Sequence, residues 1–391
     1  MVEPHSIPEW LDPAPWLLTV RTADRRAVCH ALASESPTTA ELAVLLSPAA
    51  QEFLEPMARQ AQALTRRYFG LTIALYAPLY LSDYCSGGCV YCGFAADRRR
   101  PRHRLETVGI ISELDALKAL GFEDILLLTG ERTPQADFAY LRQAVALAAE
   151  RFHRITIEAF PMSAEEYHEL AEAGCTGLTV YQETYDPRTY ERMHRWGPKR
   201  NYLNRLATPA RALAGGLRTA GLGVLMGLAD PVADAIALFL HLDHLRKDFW
   251  QAGFSVSFPR ICPQPGGFTP PYPVNDRFLA QMIFAFRICM PDVPLVLSTR
   301  ESAAFRDGIA GIGINKMSIA SKTTVGGYHE ETAAEDRQFL ISDNRDIDTF
   351  FSALRRQGLE PVFKNWESVY RDPVSTLECF DRTDRNIGTG A

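Results

Sequence analysis

Eight short runs of β-branched or leucine-rich residues, each followed by a stretch of helical periodicity, succeed one another from residue 71 to residue 318. They are Leu71 to Ala77, Ile125 to Thr129, Ile155 to Phe160, Leu178 to Gln182, Gly221 to Leu228, Phe254 to Phe258, Pro294 to Thr299 and Gly313 to Ser318. Repeated βα units make their strands parallel, and eight is the number that closes such a sheet into a TIM-type barrel. Local signals agree. Ser163 with Glu166 forms a capping box, Asp186-Pro187 supplies a cap and a first-turn proline, and Gly121 stops the helix that carries Leu114, Leu117 and Leu120. The expected fold is therefore α/β, a (β/α)8 barrel over 71–325. A helical extension over 1–70, with helices in Thr38 to Leu46 and Gln51 to Tyr68, precedes it. A C-terminal segment over 326–391 packs on the barrel: Ile347, Phe350, Phe351 and Leu354 repeat at helical spacing up to Gly358, and Pro361 to Tyr370 returns through Phe363 and Trp366.

In such a barrel the residues after each strand meet at one mouth, where the chemistry resides. Here those positions are polar. Cys85 to Cys92 follow the first strand, Thr129-Gly130-Glu131 the second, Gln182-Glu183-Thr184-Tyr185 the fourth, Pro259-Arg260 the sixth and Arg300-Glu301 the seventh, with Ser318 and Ser321 at the eighth. A net charge of -6 argues against a nucleic-acid partner. No apolar run is long enough for a membrane span, and no basic-then-apolar leader opens the sequence, so a cytoplasmic protein is expected. Cys29, Cys175, Cys262, Cys289 and Cys379 are isolated and read as reduced core thiols.

Cys85-Ser86-Gly87-Gly88-Cys89-Val90-Tyr91-Cys92 places three thiols at C-x3-C-x2-C spacing. Three thiolates leave a four-iron cluster one ligand short, and the open iron can then take a small molecule. Zinc would want a fourth Cys or His, and the nearest, His103, lies beyond Cys92 in an arginine-rich loop. Glu131 is placed to accept hydrogen bonds from an ammonium group, unless it is a solvated turn residue. Three glycines in Gly221-Leu222-Gly223-Val224-Leu225-Met226-Gly227-Leu228 mark either the approach of a ligand or tight barrel packing. Arg300 offers a planar fork that matches a carboxylate, with Glu301 or a neighbouring helix as the alternative partner. Arg98-Arg99-Arg100-Pro101-Arg102-His103-Arg104 is either a solvated loop or a docking patch for an acidic electron donor such as flavodoxin or ferredoxin.

The loop from Cys85 to Cys92, with Gly93-Phe94 behind it, resembles the signature of radical S-adenosylmethionine (SAM) enzymes. Leu75 to Ser82, Leu128 to Glu131, Val180 to Tyr185, Ser255 to Arg260 and Leu297 to Glu301 look, more narrowly, like the 2-iminoacetate synthase family, the tyrosine lyases of thiazole biosynthesis. The resemblance spans about residues 40 to 370. It implies a [4Fe-4S] cluster on Cys85, Cys89 and Cys92, with SAM on the fourth iron. Tyr91, Gly130, Glu131, Gln182, Glu183, Tyr185, Leu225 and Gly227 would border that cofactor, Glu131 taking its methionyl amine. Arg300, Ser318 and Ser321 would hold the carboxylate of L-tyrosine, and Arg300, Glu183 and Ser318 would serve catalysis. The implied reaction breaks the Cα–Cβ bond of tyrosine to 2-iminoacetate and p-cresol, splits SAM to 5'-deoxyadenosine and methionine, and hands 2-iminoacetate to thiazole synthase.

Other readings stand beside this one. A related tryptophan lyase shares the Arg300 and serine arrangement. The tyrosine lyase of hydrogenase maturation carries a further C-terminal cysteine cluster, whereas only Cys379 follows Ser321 here. A non-catalytic iron-sulfur carrier would leave a mouth lined by Glu131, Gln182, Arg300 and Ser318 without a use.

Overall fold

Alternation along each run determines which residues face the helices and which face the lumen. In the computed structural model, which describes residues 7–333 and 336–363, eight parallel strands close into a ring. They are β1 (Thr72–Tyr80), β2 (Asp124–Leu128), β3 (Arg154–Glu158), β4 (Gly177–Glu183), β5 (Thr219–Val224), β6 (Gly253–Ser257), β7 (Leu295–Leu297) and β8 (Lys316–Ser318). Each pairs with the next, and β1 pairs with both β2 and β8. On β3, Ile155 and Ile157 are fully buried in the core beneath the outer helices, while Arg154, Thr156 and Glu158 turn into the lumen.

Strand ends depart from the sequence runs where neighbours change. β1 extends to Tyr80 because its second half, Ala77 to Tyr80, pairs with β2 while Ala74 to Tyr76 pairs with β8. The fifth run continues to Leu228, yet β5 stops at Val224. Beyond it the Leu225 N–H turns to the Glu183 carbonyl and the Met226 N–H to that of Pro259.

A ninth strand, β9 (Glu360–Val362), lies parallel to β1 along Thr72 to Ala74, beside the half of β1 that β2 does not reach. The sequence runs missed it because three residues around a proline carry no period. Phe363 then seats its ring 4.7 Å from Phe122 and 5.4 Å from Phe351. Trp366, Tyr370 and Cys379 lie outside the described residues.

The helix signals hold. Ser163 and Glu166 make both bonds of the capping box, and Asp186 accepts from the Thr189 N–H. Gly121 (φ 90°) and Gly358 (φ 75°) take left-handed conformations just past their helices, which other residues adopt at a cost. Before β1, the helices Thr39–Leu45 and Leu54–Phe69 pack on the barrel helix Asp276–Cys289, and Leu42, Leu45 and Met57 join the same core as Ile155 and Ile157. Among the described residues no helix is long and apolar enough to cross a membrane.

Candidate active site

The cysteine loop and the end of β2 are in direct contact. A Cβ on Gly130 would stand 2.5 Å from the Tyr84 carbonyl oxygen and 2.7 Å from Cys85 Cβ, so only glycine lets the two segments meet. Cys85, Cys89 and Cys92 line one cavity, and no disulfide joins cysteines among the described residues. Donors already point at the sulfurs. The Gly87 and Glu131 N–H groups donate to Cys85 Sγ, each at 3.3 Å, and Gln338 Nε2 donates to Cys92 Sγ at 3.4 Å. Burial pushes the Cys85 thiol up to about 11 and Cys89 higher still, so these thiols keep their protons until metal replaces them. Among the described residues no three His, Cys, Asp or Glu side chains gather as ligands of a single ion would. A four-iron cluster binds its thiolates at separate corners and needs them further apart.

The arginine run frames this loop from beneath. Arg98 donates to the Val90 and Cys92 carbonyls at 2.9 and 3.2 Å, and Arg102 to those of Asp83, Phe94 and Ala95 at 2.8, 2.8 and 2.5 Å. Arg100 pairs with Asp83 at 2.9 Å. Arg98, Arg100 and Arg102 are thus turned to the loop, while Arg99, His103 and Arg104 remain exposed.

Glu131 is 5% exposed, so it is no solvated turn residue. Its Oε1 lies 3.5 Å from Arg205 Nη1, and its buried Oε2 has no hydrogen-bond partner among the described residues. Burial pushes the Glu131 carboxyl above the usual range, with Arg205 and Lys199 opposing. Glu183 bonds Lys199 at 2.5 Å and lies 3.7 Å from Arg205.

A register shift between Tyr181 and Glu183, with Glu183 at φ 71°, brings both residues onto the cavity wall. Gln182 faces away and donates to the Tyr202 carbonyl at 3.4 Å. Tyr185 is buried behind the wall, its hydroxyl 2.8 Å from His241 Nδ1. Leu225 lines the cavity, whereas Gly227 (φ 118°) sits outside it, where a Cβ would fall 2.8 Å from Pro270 Cβ. Tyr91 lines it too, its hydroxyl 2.7 Å from His194 Nε2. The β5 glycines make room for neighbouring side chains: a Cβ on Gly223 would meet the Tyr181 ring at 2.5 Å, and one on Gly221 would meet Thr179 Oγ1 at 2.9 Å.

Arg300, Ser318 and Ser321 line the same cavity. The Arg300 guanidinium lies 3.5 Å over the Phe339 ring and donates to the Arg260 carbonyl at 3.3 Å. Glu301 does not neutralise it, because Glu301 is taken by Arg260, with Nε–O distances of 3.0 and 3.1 Å. Among the described residues Arg300 has no carboxylate within ion-pair distance. Ser321 donates to Ser318 Oγ at 3.2 Å, which itself accepts from the Thr299 N–H.

The cavity gathers further residues to which the sequence reading gives no site role: Tyr76, Tyr80, Glu158, Tyr181, Lys199, Arg205 and Gln338, together with Cys262, which it reads as a core thiol. Tyr76 and Tyr80 alternate with buried Leu75, Ala77 and Leu79, so the period of two along β1 carries their signal. Lys199, Arg205 and Gln338 come from irregular or short segments that carry none.

Comparison with known proteins shows the family. Residues 79–231 match the radical SAM superfamily, and residues 257–360 match the biotin and thiamin synthesis associated domain. The chain is 43% identical over 329 residues to the 2-iminoacetate synthase of Salmonella typhimurium, covering 84% of this chain and 87% of that protein. It is 42% identical over 340 residues to the 2-iminoacetate synthase of Escherichia coli, covering 87% and 90%. The crystal structure of HydG, a maturase of the [FeFe]-hydrogenase, superposes with a TM-score of 0.87 at 28% identity, covering 93% of this chain and 82% of HydG. The chain belongs to the 2-iminoacetate synthase family of the radical SAM superfamily.

Proposed function

We propose that the protein cleaves the Cα–Cβ bond of L-tyrosine to 2-iminoacetate and p-cresol, with SAM split to 5'-deoxyadenosine and methionine, for thiamine thiazole biosynthesis. One observation carries this reading: one cavity contains an acceptor without a donor, Glu131 Oε2, and a cation without an anion, Arg300. An amino-acid cofactor supplies the ammonium for the first, and an amino-acid substrate the carboxylate for the second.

The donor set fits both groups. Cys85, Cys89 and Cys92 hold the [4Fe-4S] cluster, Glu131 receives the SAM ammonium, and Tyr91, Gly130, Glu183 and Leu225 border it. Gln182, Tyr185 and Gly227 stand behind the wall and set the shape of the β4 end and the β5 loop. When bound, the cluster and SAM supply a 5'-deoxyadenosyl radical. Arg300 fixes the tyrosine carboxylate, with Ser318 and Ser321 as further donors. A fixed carboxylate places the amine, and that placement decides which hydrogen is taken. Gln338 and Phe339 line the mouth between Cys92 and Arg300, which limits water around a hydrolysable imine. Thiazole synthase is the acceptor of that imine, and flavodoxin or ferredoxin the source of the electron.

Anaerobic incubation of the reconstituted protein with dithionite, SAM and tyrosine should yield p-cresol and 5'-deoxyadenosine together. Tryptophan in a parallel reaction should give no indolic acid. An indolic acid from tryptophan without p-cresol from tyrosine would assign the related tryptophan chemistry instead, and no 5'-deoxyadenosine at all would leave a cluster carrier.

A further inference from the structure

Glu158 ends β3 on its lumen face and lines the cavity that holds Arg300. The two other carboxylates of that cavity have cationic partners, Glu131 with Arg205 and Glu183 with Lys199. Among the described residues the Glu158 carboxylate makes no hydrogen bond or ion pair, and the acids and bases around it act only through their charge. The hydroxyls nearest to it are turned elsewhere: Tyr80 donates to Gln338 Oε1 at 2.8 Å, Tyr76 bonds Ser318 and Tyr181 bonds Ser257. Besides Glu131 Oε2, the lumen therefore presents a second acceptor, the Glu158 carboxylate, that the described residues do not use.

Its position says what it can meet. In the closed strand order β3 and β7 stand opposite each other, four strands apart either way. An aromatic amino acid held by its carboxylate on Arg300 at β7 extends its side chain across the lumen toward β3. The geometry points to Glu158 as the group that accepts the phenol hydroxyl of the substrate, taking its proton as the Cα–Cβ bond breaks; this rests on tyrosine as the substrate. The phenolic O–H breaks heterolytically, its electron pair staying on oxygen and its proton moving to the carboxylate. The Cα–Cβ bond breaks homolytically. One of its electrons pairs, as the C=N bond of 2-iminoacetate, with the electron left on the amine nitrogen when the 5'-deoxyadenosyl radical takes an N–H hydrogen, and the other leaves with the 4-oxidobenzyl fragment. One electron from the reductant, one proton from water and the proton returned by Glu158 complete p-cresol.

The electrostatics suit a base near neutrality. Burial, with the charge of Glu183, pushes the Glu158 carboxyl up to about 7 against Lys199, Arg205 and Arg300. The groups facing it are Tyr76 and Tyr80 from β1, Tyr181 and Glu183 from β4, Lys199 and Arg205 from the segment after β4, and Arg300 after β7. Burial keeps the three tyrosines protonated. A base must be ionised to act, so p-cresol formation should rise with pH through about 7.

The test compares wild type, E158Q and E158A, all reconstituted. Tyrosine and phenylalanine binding are measured with SAM present and no reductant, and products are measured with dithionite across pH. Wild type should prefer tyrosine to phenylalanine by about 100-fold, and E158A should lose most of that preference. E158Q, which keeps the shape and an acceptor oxygen, should bind tyrosine within about threefold of wild type. It should form p-cresol about 100-fold more slowly and lose the rising limb of the pH profile, while still making 5'-deoxyadenosine. Wild-type p-cresol rates and pH profile in E158Q, or full tyrosine preference in E158A, would overturn the assignment of Glu158. Absence of p-cresol from the wild type would instead indict tyrosine as substrate.

Discussion

Arg300, which has no carboxylate partner, and Glu131, whose Oε2 has no hydrogen bond among the described residues, each keep bonding capacity the fold leaves unused, and each can be tested alone. R300A removes a stacked guanidinium that is worth roughly 2–3 kcal/mol in charge-assisted bonds, so tyrosine affinity should fall about 30–100-fold. SAM affinity should stay within about twofold, because the Arg300 guanidinium contacts the Arg260 carbonyl and the Phe339 ring and neither the three cluster thiols nor Glu131; anaerobic equilibrium binding of both ligands reads the difference. Equal losses for the two would remove Arg300 from the substrate side. E131Q keeps the shape but swaps a carboxylate for an amide, and SAM should bind about 10-fold more weakly with iron and sulfide content unchanged. A fall in cluster content alone would make Glu131 a prop of the Cys85 loop. At this scale the sequence exposed what chemistry demands at strand ends: the three cysteines, Glu131 and Arg300 all line one cavity. It did not separate Glu183 from Gln182 and Tyr185, because a shift of one residue at a bulge exchanges the two faces of a strand. Glu158 escaped because a single acid at the end of Ile-Thr-Ile-Glu belongs to no motif.

Elements were legible as far as local chemistry writes them. The capping box at Ser163, the proline start at Pro187 and the glycine stop at Gly121 are short-range signals, and each appears where its residues stand. β9 and the far half of β1 depend on partners distant in sequence, which no local pattern records. The β5 glycines lie between these cases. Composition marked them as places of close approach, and only the fold shows that Gly223 faces the Tyr181 ring. A methyl group there would have to displace the half-buried Tyr181 ring, so G223A should lower the urea midpoint by an amount equal to about 1–3 kcal/mol. Since Tyr181 lines the cavity, tyrosine affinity should fall as well. An unchanged midpoint would show that the ring can move aside, and close packing would then not be the reason for glycine.

Across the whole molecule, one segment ties the cluster loop, the substrate anchor and the barrel wall together. Gln338 joins Thr323 and Cys92, Phe339 stacks on Arg300, and the Ser342 and Asp343 N–H groups donate to the Thr299 carbonyl at 2.9 and 3.2 Å. Asp343 anchors this strap by pairing with Arg306, both side chains being 1% exposed, and with Arg345 at 2.7 Å. Burial alone would raise the Asp343 carboxyl, but hydrogen bonds from Arg345 and the charge of Arg306 outweigh it and hold the group below the usual range. A carboxyl depressed on folding adds stability that is fully present above its unfolded value of about 3.9 and is lost as pH falls through the folded value. D343N leaves Arg306 buried without its anion and should cost about 3–5 kcal/mol at pH 7, read by anaerobic urea unfolding of the reconstituted protein. The gap between wild type and D343N should then narrow as pH drops below about 4, since the wild type loses there what the variant has already lost. Tyrosine affinity should weaken more than SAM affinity in D343N, because the strap reaches Arg300 through the Phe339 ring and Cys92 only through one Gln338 bond. Parallel pH dependences for the two proteins would show that the strap is held by its backbone bonds to Thr299 and Thr323 rather than by its charge.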